Sequence, residues 1–301
     1  QSWGALRRPV APRPNPHARA VHDATTAWAE AMGLVERPSP AHDRLDRARI
    51  AWLAAHTQPE STAEDLLIGA KWHLWLFMYD DVLDAGALGR RPRAIAHFNE
   101  GLLLALDQGP TATDLPLERA LGDFMAHLTR RVDDRWRARF VAHARRYLQA
   151  VVWEASNRET DEVPDTTTYV KLRRHTGAVF ACLDLVHATS GVAATGPLQE
   201  HVYAEELAVM ANDHVVWVND VLGLDKELGE RNMNNLVLVL QAERGLPLAA
   251  ATAEAITWCN RELLAYERLA ARARTLLPAS ELEPYLANLE AWMGGHIGWY
   301  A

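Results

Sequence analysis

From about residue 16 onward, the hydrophobic residues of this chain recur three and four positions apart, with polar residues between them. This period places apolar side chains on one face of an α-helix, and Ala, Leu, Arg and Glu, which favour helices, are abundant. No alternating pattern of useful length predicts a β-strand, and the apolar run at 236–240 is too short to assign. The predicted helices cover residues 17–33, 61–84, 92–107, 116–130, 134–158, 166–192, 200–228, 247–275 and 281–299.

The predicted helix ends carry residues that commonly start or stop helices. Gly33 is suited to end the first helix, and Ser61 followed by Glu64 forms a capping-box pattern at the start of the next. Glycine and proline cluster in the stretches between helices. The pattern therefore predicts a single all-α domain over residues 16–301, preceded by an extended Pro-rich segment over residues 1–15.

Composition narrows the class of protein. With 301 residues, 49% hydrophobic and 23% charged, the chain is typical of a globular protein with one large core or two modest ones. A net charge of −8 and the lack of a basic stripe argue against a nucleic-acid partner. Two distant cysteines, Cys182 and Cys259, favour a reducing, cytoplasmic compartment without disulfides. No apolar run predicts a secretory signal or a membrane span, so we expect a soluble protein.

Three aspartates follow a strongly apolar run in the second predicted helix, in the stretch FMYDDVLD at 77–84. Asp80 and Asp84 are four residues apart and project from the same helical face. Two like charges repel there unless a cation lies between them, and Mg²⁺ takes oxygen ligands of this kind. Taken alone the motif is weak, because acidic helix ends are often solvated or salt-bridged.

A second polar cluster lies in WVNDVLGLDKE at 217–227. Asn219, Gly223 and Glu227 are spaced four and four along one helical face, and Asn and Glu offer further oxygen ligands. The glycine leaves space for a water or a ligand oxygen, and Lys226 beside it can hold an anion as a point charge. The alternative is a polar helix face with a Glu–Lys pair. Both clusters follow Trp-containing apolar helices, which favours a shared metal site.

The two clusters together resemble the aspartate-rich and Asn-Ser-Glu motifs of class I terpene synthases of the microbial, actinobacterial type. Further stretches of the chain continue the resemblance over nearly its whole length. They are PNPH at 14–17, AWAEAMGLV at 27–35, YVKLRRHTGAVF at 169–180, RNMNNLVLVL at 231–240 and WMGG at 292–295. The resemblance implies an α-helical bundle or barrel whose active site opens at the metal-binding helix ends.

The resemblance also implies a Mg²⁺ site, with three ions in the closed complex. The implied metal ligands are Asp80, Asp84, Asn219, the residue at position 223, which is Gly223 here, and Glu227. Asp81 more often pairs with a cation in this family, so it acts on the diphosphate only indirectly, and Lys226 is a further candidate for diphosphate binding. The family's diphosphate-sensing arginine lies 46 residues before the motif's Asn, and 219 − 173 = 46 selects Arg173. Gly177 then matches the effector glycine, so the implied catalytic residues are Asp80, Arg173 and Gly177.

Two departures from the family pattern stand out. Position 223 is usually Ser or Thr, so with Gly223 one metal loses a hydroxyl ligand and we expect a water in its place. The family also tends to place an Arg-Tyr pair a few residues beyond a Trp such as Trp299, whereas this sequence has Tyr300 without the arginine. This predicts either further sequence beyond residue 301 or weaker capping of the diphosphate.

The activity implied by the resemblance is ionisation and cyclisation of a linear isoprenyl diphosphate, with farnesyl diphosphate the expected substrate and a homodimer the expected assembly. The carbocation formed needs a dry cavity, and aromatic faces stabilise cations. Candidates for the cavity wall, each with ordinary core packing as its alternative, are Trp72, Phe77, Phe180, Trp217, Trp292 and Trp299.

Two other functions stay open from the sequence. A chain-elongating prenyltransferase would carry a second DDxxD motif, and NDVLGLDKE at 219–227 stands in its place. A non-catalytic helical protein that binds an apolar ligand would tolerate the Gly at 223 and the missing arginine. Mg²⁺-dependent release of diphosphate distinguishes an enzyme from that binding protein.

Overall fold

The structure is a computed structural model that describes residues 5–84, 87–190, 198, 201–230 and 232–300. These residues form α-helices and no β-strand, which confirms the predicted all-α fold. The helices are α1 (Ala18–Ala31), α2 (Pro40–Ala48), α3 (Ile50–Thr57), α4 (Ala63–Asp84), α5 (Pro92–Gln108), α6 (Pro116–Thr129), α7 (Asp134–Thr160), α8 (Thr166–Thr176), α9 (Val179–Thr189), α10 (Val202–Glu230), α11 (Leu236–Arg244), α12 (Leu248–Ala273) and α13 (Ala279–Tyr300). A 3₁₀ turn, Ala87–Arg90, follows α4.

Three short helices, α2, α3 and α11, lie where the sequence pattern gave no assignment. The apolar run at 236–240 belongs to α11, which begins after Asn235. The Asn235 side chain accepts a hydrogen bond from the Val237 N–H at 2.8 Å, as helix N-caps do. This polar cap resolves the ambiguity that the apolar run alone leaves between strand and helix.

The cap of α4 lies one residue later than predicted. Thr62 Oγ1 accepts the Asp65 N–H at 3.2 Å and donates to Asp65 Oδ2 at 2.7 Å. Thr62 directly precedes the first helical residue, Ala63, so its hydroxyl is placed to cap the orphan amides. The predicted pair of Ser61 and Glu64 was therefore wrong by one position, although the start of the helix was right.

The predicted helix 166–192 is interrupted at Gly177 and Ala178. Ala178 has a φ of 54°, in the left-handed region, and separates α8 from α9. A Cβ on Gly177 would lie 2.4 Å from Val216 Cγ1 of α10, so only glycine permits this close approach. The break presses the junction of α8 and α9 against α10, and it changes which side chains face inward after residue 178.

The bundle surrounds a central space with helices from distant parts of the chain. α10 packs along α12 and against α13, and α13 also packs on α3. The Pro-rich segment before α1 lies across this assembly, because the Arg7 N–H donates to Asn260 Oδ1 at 2.8 Å and the Arg7 guanidinium pairs with Glu267 at 3.2 Å. The division of the chain at residue 15 stays a prediction.

Two further features concern the cysteines and the lengths of the apolar helices. Cys182 and Cys259 are both buried free thiols. Within the described residues, no single helix is both long and apolar enough to cross a membrane, and only α11 and α12 taken together, across a 120° bend, meet those criteria.

Candidate active site

A cavity of about 160 Å³ lies at the centre of the bundle, between α4, α8, α9, α10 and α13. Asp80 from the first acidic motif and Asn219 from the second both line it. Arg173 and Gly177, at the end of α8, line it as well. The fold therefore brings residues separated by more than a hundred positions to one site.

Asp80 lies near the C-terminal end of α4 and is held from across the cavity. The Tyr147 hydroxyl of α7 donates to Asp80 Oδ1 at 2.9 Å. Burial, together with the negative charge of Asp80, raises the pKa of Tyr147 well above its usual value. The phenol therefore stays protonated and orients the carboxylate, while Asp80 itself is solvent-exposed.

Arg173 is buried and makes polar contacts on all sides of its guanidinium. Its Nε and Nη2 lie 3.0 and 2.8 Å from Asp220 Oδ1. Nη1 donates to Thr176 Oγ1 at 3.2 Å, and Nη2 donates to Asn219 Oδ1 at 3.1 Å. Burial alone would lower the pKa of Arg173, but the opposing negative charge, chiefly that of Asp220, raises it well above its usual value. The arginine therefore remains a fixed cation at the wall of the cavity.

Asp220 is the partner that sequence reasoning missed. Its carboxylate is fully buried and accepts the Leu236 N–H at 2.9 Å and the Tyr169 hydroxyl, besides Arg173. These contacts tie α8, α10 and α11 together behind the arginine. A carboxylate inside the apolar run VVWVNDVLGL needs a buried cation, and that signal was available in the sequence.

Asn219 connects the arginine to the last helix. Its Nδ2 donates to the Tyr300 hydroxyl of α13 at 3.0 Å, while its Oδ1 accepts from Arg173. Burial, followed by the charge of Glu227, raises the pKa of Tyr300 to about 12, so the phenol is protonated. Tyr300, which directly follows Trp299 in the sequence, is thus part of the site.

The α10 face that carries Asn219, Gly223 and Glu227 has the donors of a hard-cation site. Burial, together with the nearby charge of Asp220, raises the pKa of Glu227 to about 8, and Asn235 Nδ2 donates to Glu227 Oε2 at 2.8 Å. A Cβ on Gly223 would meet only Glu227 Oε1, at 3.5 Å, so the space above the glycine is open. A half-buried carboxyl, an amide oxygen and an open position suit a cation such as Mg²⁺ with water ligands.

No three His, Cys, Asp or Glu side chains within the described part of the chain are arranged to hold a metal by themselves. A metal here would need the carboxylate of Asp80, the amide oxygen of Asn219 and further oxygens from water or substrate. The side chain of Asp84, another predicted ligand, lies outside the described residues. The oxygen ligands of a metal at this site would therefore come from both motifs, together with water or substrate.

Two charged residues of the motifs lie away from the cavity. Asp81 lines a surface cleft together with Arg44 and Arg47. Lys226 lies on the solvent side of α10, and its Nζ is 3.6 Å from Glu230 Oε1. The structure does not bring Lys226 to the cavity, because its side chain is exposed at the C-terminal end of α10 and pairs there with Glu230.

Three of the six predicted wall aromatics line the cavity: Phe77, Trp292 and Trp299. Phe77 lies three residues before Asp80, on the same face of α4, and its ring is 5.8 Å from that of Trp299 in an edge arrangement. The aromatic side chains of α4 and α13 thus form one wall next to the polar end of the site.

Trp72 and Trp217 were wrongly assigned to this wall. Trp72 stacks on Trp75 at 5.3 Å and packs against Phe124 of α6, so it belongs to the core on the outer side of α4. Trp217 lies 5.8 Å from Trp258 of α12. Residues two apart on a helix project about 200° apart, so a Trp two positions before Asn219 must face away from it.

Phe180 was also wrongly assigned, for a different reason. Its ring stacks on His143 at 5.2 Å and lines a separate, wider cleft of about 510 Å³. In a continuous helix, Phe180 would share the face of Gly177. The left-handed residue Ala178 ends that continuity, so Phe180 emerges on the opposite side of the α8–α9 junction.

Comparisons with known proteins agree with the geometry. The family model "Terpene synthase family 2, C-terminal metal binding" matches residues 71–263, which include Asp80, Arg173 and Glu227. A (+)-T-muurolol synthase of Roseiflexus castenholzii is 34% identical over 95% of this chain and 88% of its own length. The chain belongs to the terpene synthase family. It is accordingly an enzyme of this family, and the relatives that it matches indicate a terpene cyclase.

Other members of the terpene synthase family are similar over the whole chain. A (−)-delta-cadinene synthase of Streptomyces clavuligerus is 32% identical over 95% of this chain and 89% of its own. The crystal structure of germacradien-4-ol synthase from Streptomyces citricolor superposes with a TM-score of 0.85 at 27% identity, covering 98% of this chain and 97% of that one. Fold and sequence therefore place this terpene synthase among bacterial relatives.

Two histidines of this terpene synthase also line the cavity, His73 of α4 and His296 of α13. Burial lowers the pKa of His73 to about 4 and that of His296 to about 3, so both imidazoles are neutral near pH 7. Sequence reasoning missed them. His73 is four residues before Phe77 and His296 is three before Trp299. This helical spacing from two predicted wall residues was the sequence signal that would have identified both histidines.

Proposed function

We propose that this terpene synthase ionises and cyclises farnesyl diphosphate in a Mg²⁺-dependent reaction and releases a terpene and diphosphate. One observation carries the proposal: the acidic motif of α4 and the Asn219–Arg173 pair meet at one apolar, aromatic cavity. Charged groups that can bind a diphosphate thus lie at one end of a space that can enclose a hydrocarbon chain. The choice of farnesyl diphosphate follows the relatives whose names specify it.

The residues that would hold Mg²⁺ are Asp80, Asn219 and Glu227, with Asp84 as a further ligand and a water at Gly223. Bound Mg²⁺ supplies positive charge that neutralises the diphosphate as it departs. We infer three ions in the closed complex, as in the family that the motifs resemble. The half-buried carboxyl of Glu227 suits this role, because a divalent cation offsets the cost of its partial burial.

Arg173 binds the diphosphate in this proposal. Its planar fork presents donors that already contact Asn219 and Thr176, and these can turn to phosphate oxygens without moving the backbone. The buried pair with Asp220 fixes the guanidinium while this exchange occurs. Gly177, at the end of the same helix, lines the cavity with its backbone because it has no side chain, in keeping with an effector role.

The aromatic wall stabilises the carbocation that remains. Phe77, Trp292 and Trp299 present ring faces or edges to the cavity, and each face can stabilise a cation by about 0.5–2 kcal/mol. Their apolar surfaces also exclude bulk water, which would otherwise quench the cation at once. Cavity shape then selects the way in which the chain folds before it cyclises.

The proposal is tested by incubating the purified protein with C10, C15 and C20 prenyl diphosphates, with and without Mg²⁺. Gas chromatography with mass spectrometry identifies the products, and a colorimetric assay measures released diphosphate. We expect a Mg²⁺-dependent product from the C15 substrate. Folded protein that releases diphosphate from none of the three substrates would contradict the proposal.

The same assay tests the metal ligands. Asp80→Ala, Asn219→Ala and Glu227→Ala should each lower turnover by about a hundredfold or more, because each removes an oxygen ligand or its anchor. Asp225→Ala changes an exposed carboxylate of the same helix and is the matched control. Turnover like that of the wild type in all three variants would refute the metal site.

A further inference from the structure

Two buried imidazoles face the cavity without any role in ionisation. His73 is 2% exposed and His296 is 5% exposed, and both rings line the cavity. The Nδ1 atom of each is buried and has no hydrogen-bond partner among the described residues. The neighbouring rings do not satisfy them, since His73 meets the edge of Trp292 at 5.5 Å and His296 that of Tyr300 at 5.4 Å.

Unpaired polar atoms of this kind are rare in folded proteins, because burial removes the hydrogen bonds that water provides. A water molecule in a cavity is the usual remedy, and it needs two or more polar partners. A bound metal ion does not account for these unpaired atoms, since no three His, Cys, Asp or Glu side chains in the described ranges are arranged to hold one. One water molecule bound between the two imidazoles would give both unpaired atoms a partner in an otherwise apolar wall.

Both rings are available as proton acceptors. Burial lowers their pKa values to about 4 for His73 and about 3 for His296, and the charge of Arg173 adds to the shift at His296. His214, whose charge would also lower the pKa of His296, has its own pKa lowered to about 4 by burial and is neutral as well. Each ring thus offers a lone pair on one nitrogen near pH 7.

The pair lies away from the diphosphate end of the cavity. His73 precedes Asp80 by seven residues, about 10 Å along α4 at the helical rise. His296 precedes Tyr300, which bonds to Asn219, by one turn of α13. A water held there would lie about one to two helical turns from the diphosphate end, where it could meet the cyclised hydrocarbon cation.

We propose that His73 and His296 hold one water molecule that adds to the final carbocation, so that this enzyme releases a terpene alcohol. The inference rests on the proposed function and specifies how that reaction ends. A lone pair of the water oxygen forms the C–O bond to the cationic carbon. One O–H bond of the resulting oxonium then breaks, its electron pair stays on oxygen, and the proton passes to an imidazole nitrogen. The imidazolium returns that proton to solvent when the product leaves.

The test is turnover of farnesyl diphosphate in H₂¹⁸O by the wild type and by His73→Phe and His296→Phe. The wild type should give an alcohol that carries ¹⁸O. Each variant should lower the ratio of alcohol to hydrocarbon by at least about tenfold, while diphosphate release stays within about threefold. His187→Phe, which removes an equally buried imidazole from the other cleft, should leave the product ratio unchanged.

A wild-type product that contains only hydrocarbon, or an unchanged alcohol fraction in both Phe variants, would overturn the inference while diphosphate release upheld the proposed function. Loss of diphosphate release in the wild type would instead overturn the proposed function. If the Phe variants fail to fold, His73→Asn and His296→Asn keep an acceptor in a smaller side chain and should retain alcohol formation. A high-resolution crystal structure of the wild type should show a water within about 3.2 Å of both rings, and a dry cavity would refute the proposal.

Discussion

Two adjacent arginines on α8 bind different partners on α10, and this difference allows a matched test. Arg173 contacts Asn219 in the cavity, whereas Arg174 forms a two-pronged pair with Asp213, at 2.9 and 2.7 Å, outside it. Arg173→Lys keeps the charge but loses the planar fork, so we expect kcat to fall by about a hundredfold or more. Arg174→Lys should stay within about threefold of the wild type. Equal losses in steady-state assays of the two variants would contradict the assignment of Arg173.

Gly223 makes a second prediction at the scale of one residue. Because a Cβ there meets only Glu227 Oε1 at 3.5 Å, Gly223→Ser should fit without strain. The hydroxyl supplies the ligand that glycine lacks, so the Mg²⁺ concentration for half-maximal turnover should fall. Gly229→Ser, on the same helix with nothing within 4 Å of its Cβ, is the control. Both changes should raise the free energy of unfolding by about 0.5 kcal/mol, because serine favours a helix more than glycine does. If both variants need less Mg²⁺ for half-maximal turnover, the change in metal requirement does not come from a ligand at position 223.

At the scale of an element, the junction of α8 and α9 depends on its contact with α10. Gly177→Ala would force a Cβ to within 2.4 Å of Val216 Cγ1, and the junction would have to move away from the cavity. We expect a loss of about 1–3 kcal/mol in the free energy of unfolding, together with lower turnover. Val216→Ala removes the opposing methyl groups, so the double variant should recover most of the stability lost in Gly177→Ala. Additive losses in a double-mutant cycle measured by urea unfolding would refute this contact as the cause.

The same junction marks the limit of what the sequence could predict. Helix positions, the approximate ends of α1 and α4, and the two motifs followed from periodicity and spacing, because those signals are local. The break at Ala178 did not, since an alanine in the left-handed region is imposed by packing and has no sequence signal. Everything inferred from the phase of a continuous helix beyond that point, including the place of Phe180, was therefore wrong.

Side-chain direction explains the other differences within the site. Phe77 was predicted because it lies one helical turn before Asp81, next to the metal end, and it does line the cavity. Trp217 was chosen because it precedes the second motif, and it faces α12. Tyr147 could not be found in advance, because its link to Asp80 joins α7 to α4 across 67 residues. Polar contacts between distant helices depend on tertiary packing, which a single sequence does not specify.

At the scale of the whole molecule, buried ionisable groups set opposing pH dependences. His73, His187, His214 and His296 all have pKa values lowered by burial. Burial has the reverse effect on carboxyls, and it raises the pKa of Glu262 to about 7. As pH falls below 6.5, each histidine takes up a proton more readily in the unfolded chain, so its protonation destabilises the fold. Glu262 takes up a proton more readily in the folded chain, so its protonation over the same range stabilises the fold. The total dependence of stability on pH is the sum of these opposing contributions, so it reports on no single group.

One imidazole outside the active site isolates its own contribution. His187 accepts a hydrogen bond from Asn288 Nδ2 at 3.1 Å, and burial, with the charge of Arg139, lowers its pKa to about 3. Its neutral form stabilises the fold fully above pH 6.5, and that stabilisation declines as pH falls toward 3 by about 1.4 kcal/mol per pH unit. His187→Phe cannot take up this proton, so the difference in unfolding free energy between wild type and variant should shift in favour of the variant by that amount per unit between pH 6 and 4. Loss of the Asn288 hydrogen bond also lowers the free energy of unfolding of the variant, by an amount that does not change with pH. The free energies of unfolding of the two proteins are measured by urea unfolding at several pH values over this range. If they change in parallel, His187 takes up its proton as readily in the folded enzyme as in the unfolded chain, and the prediction is wrong.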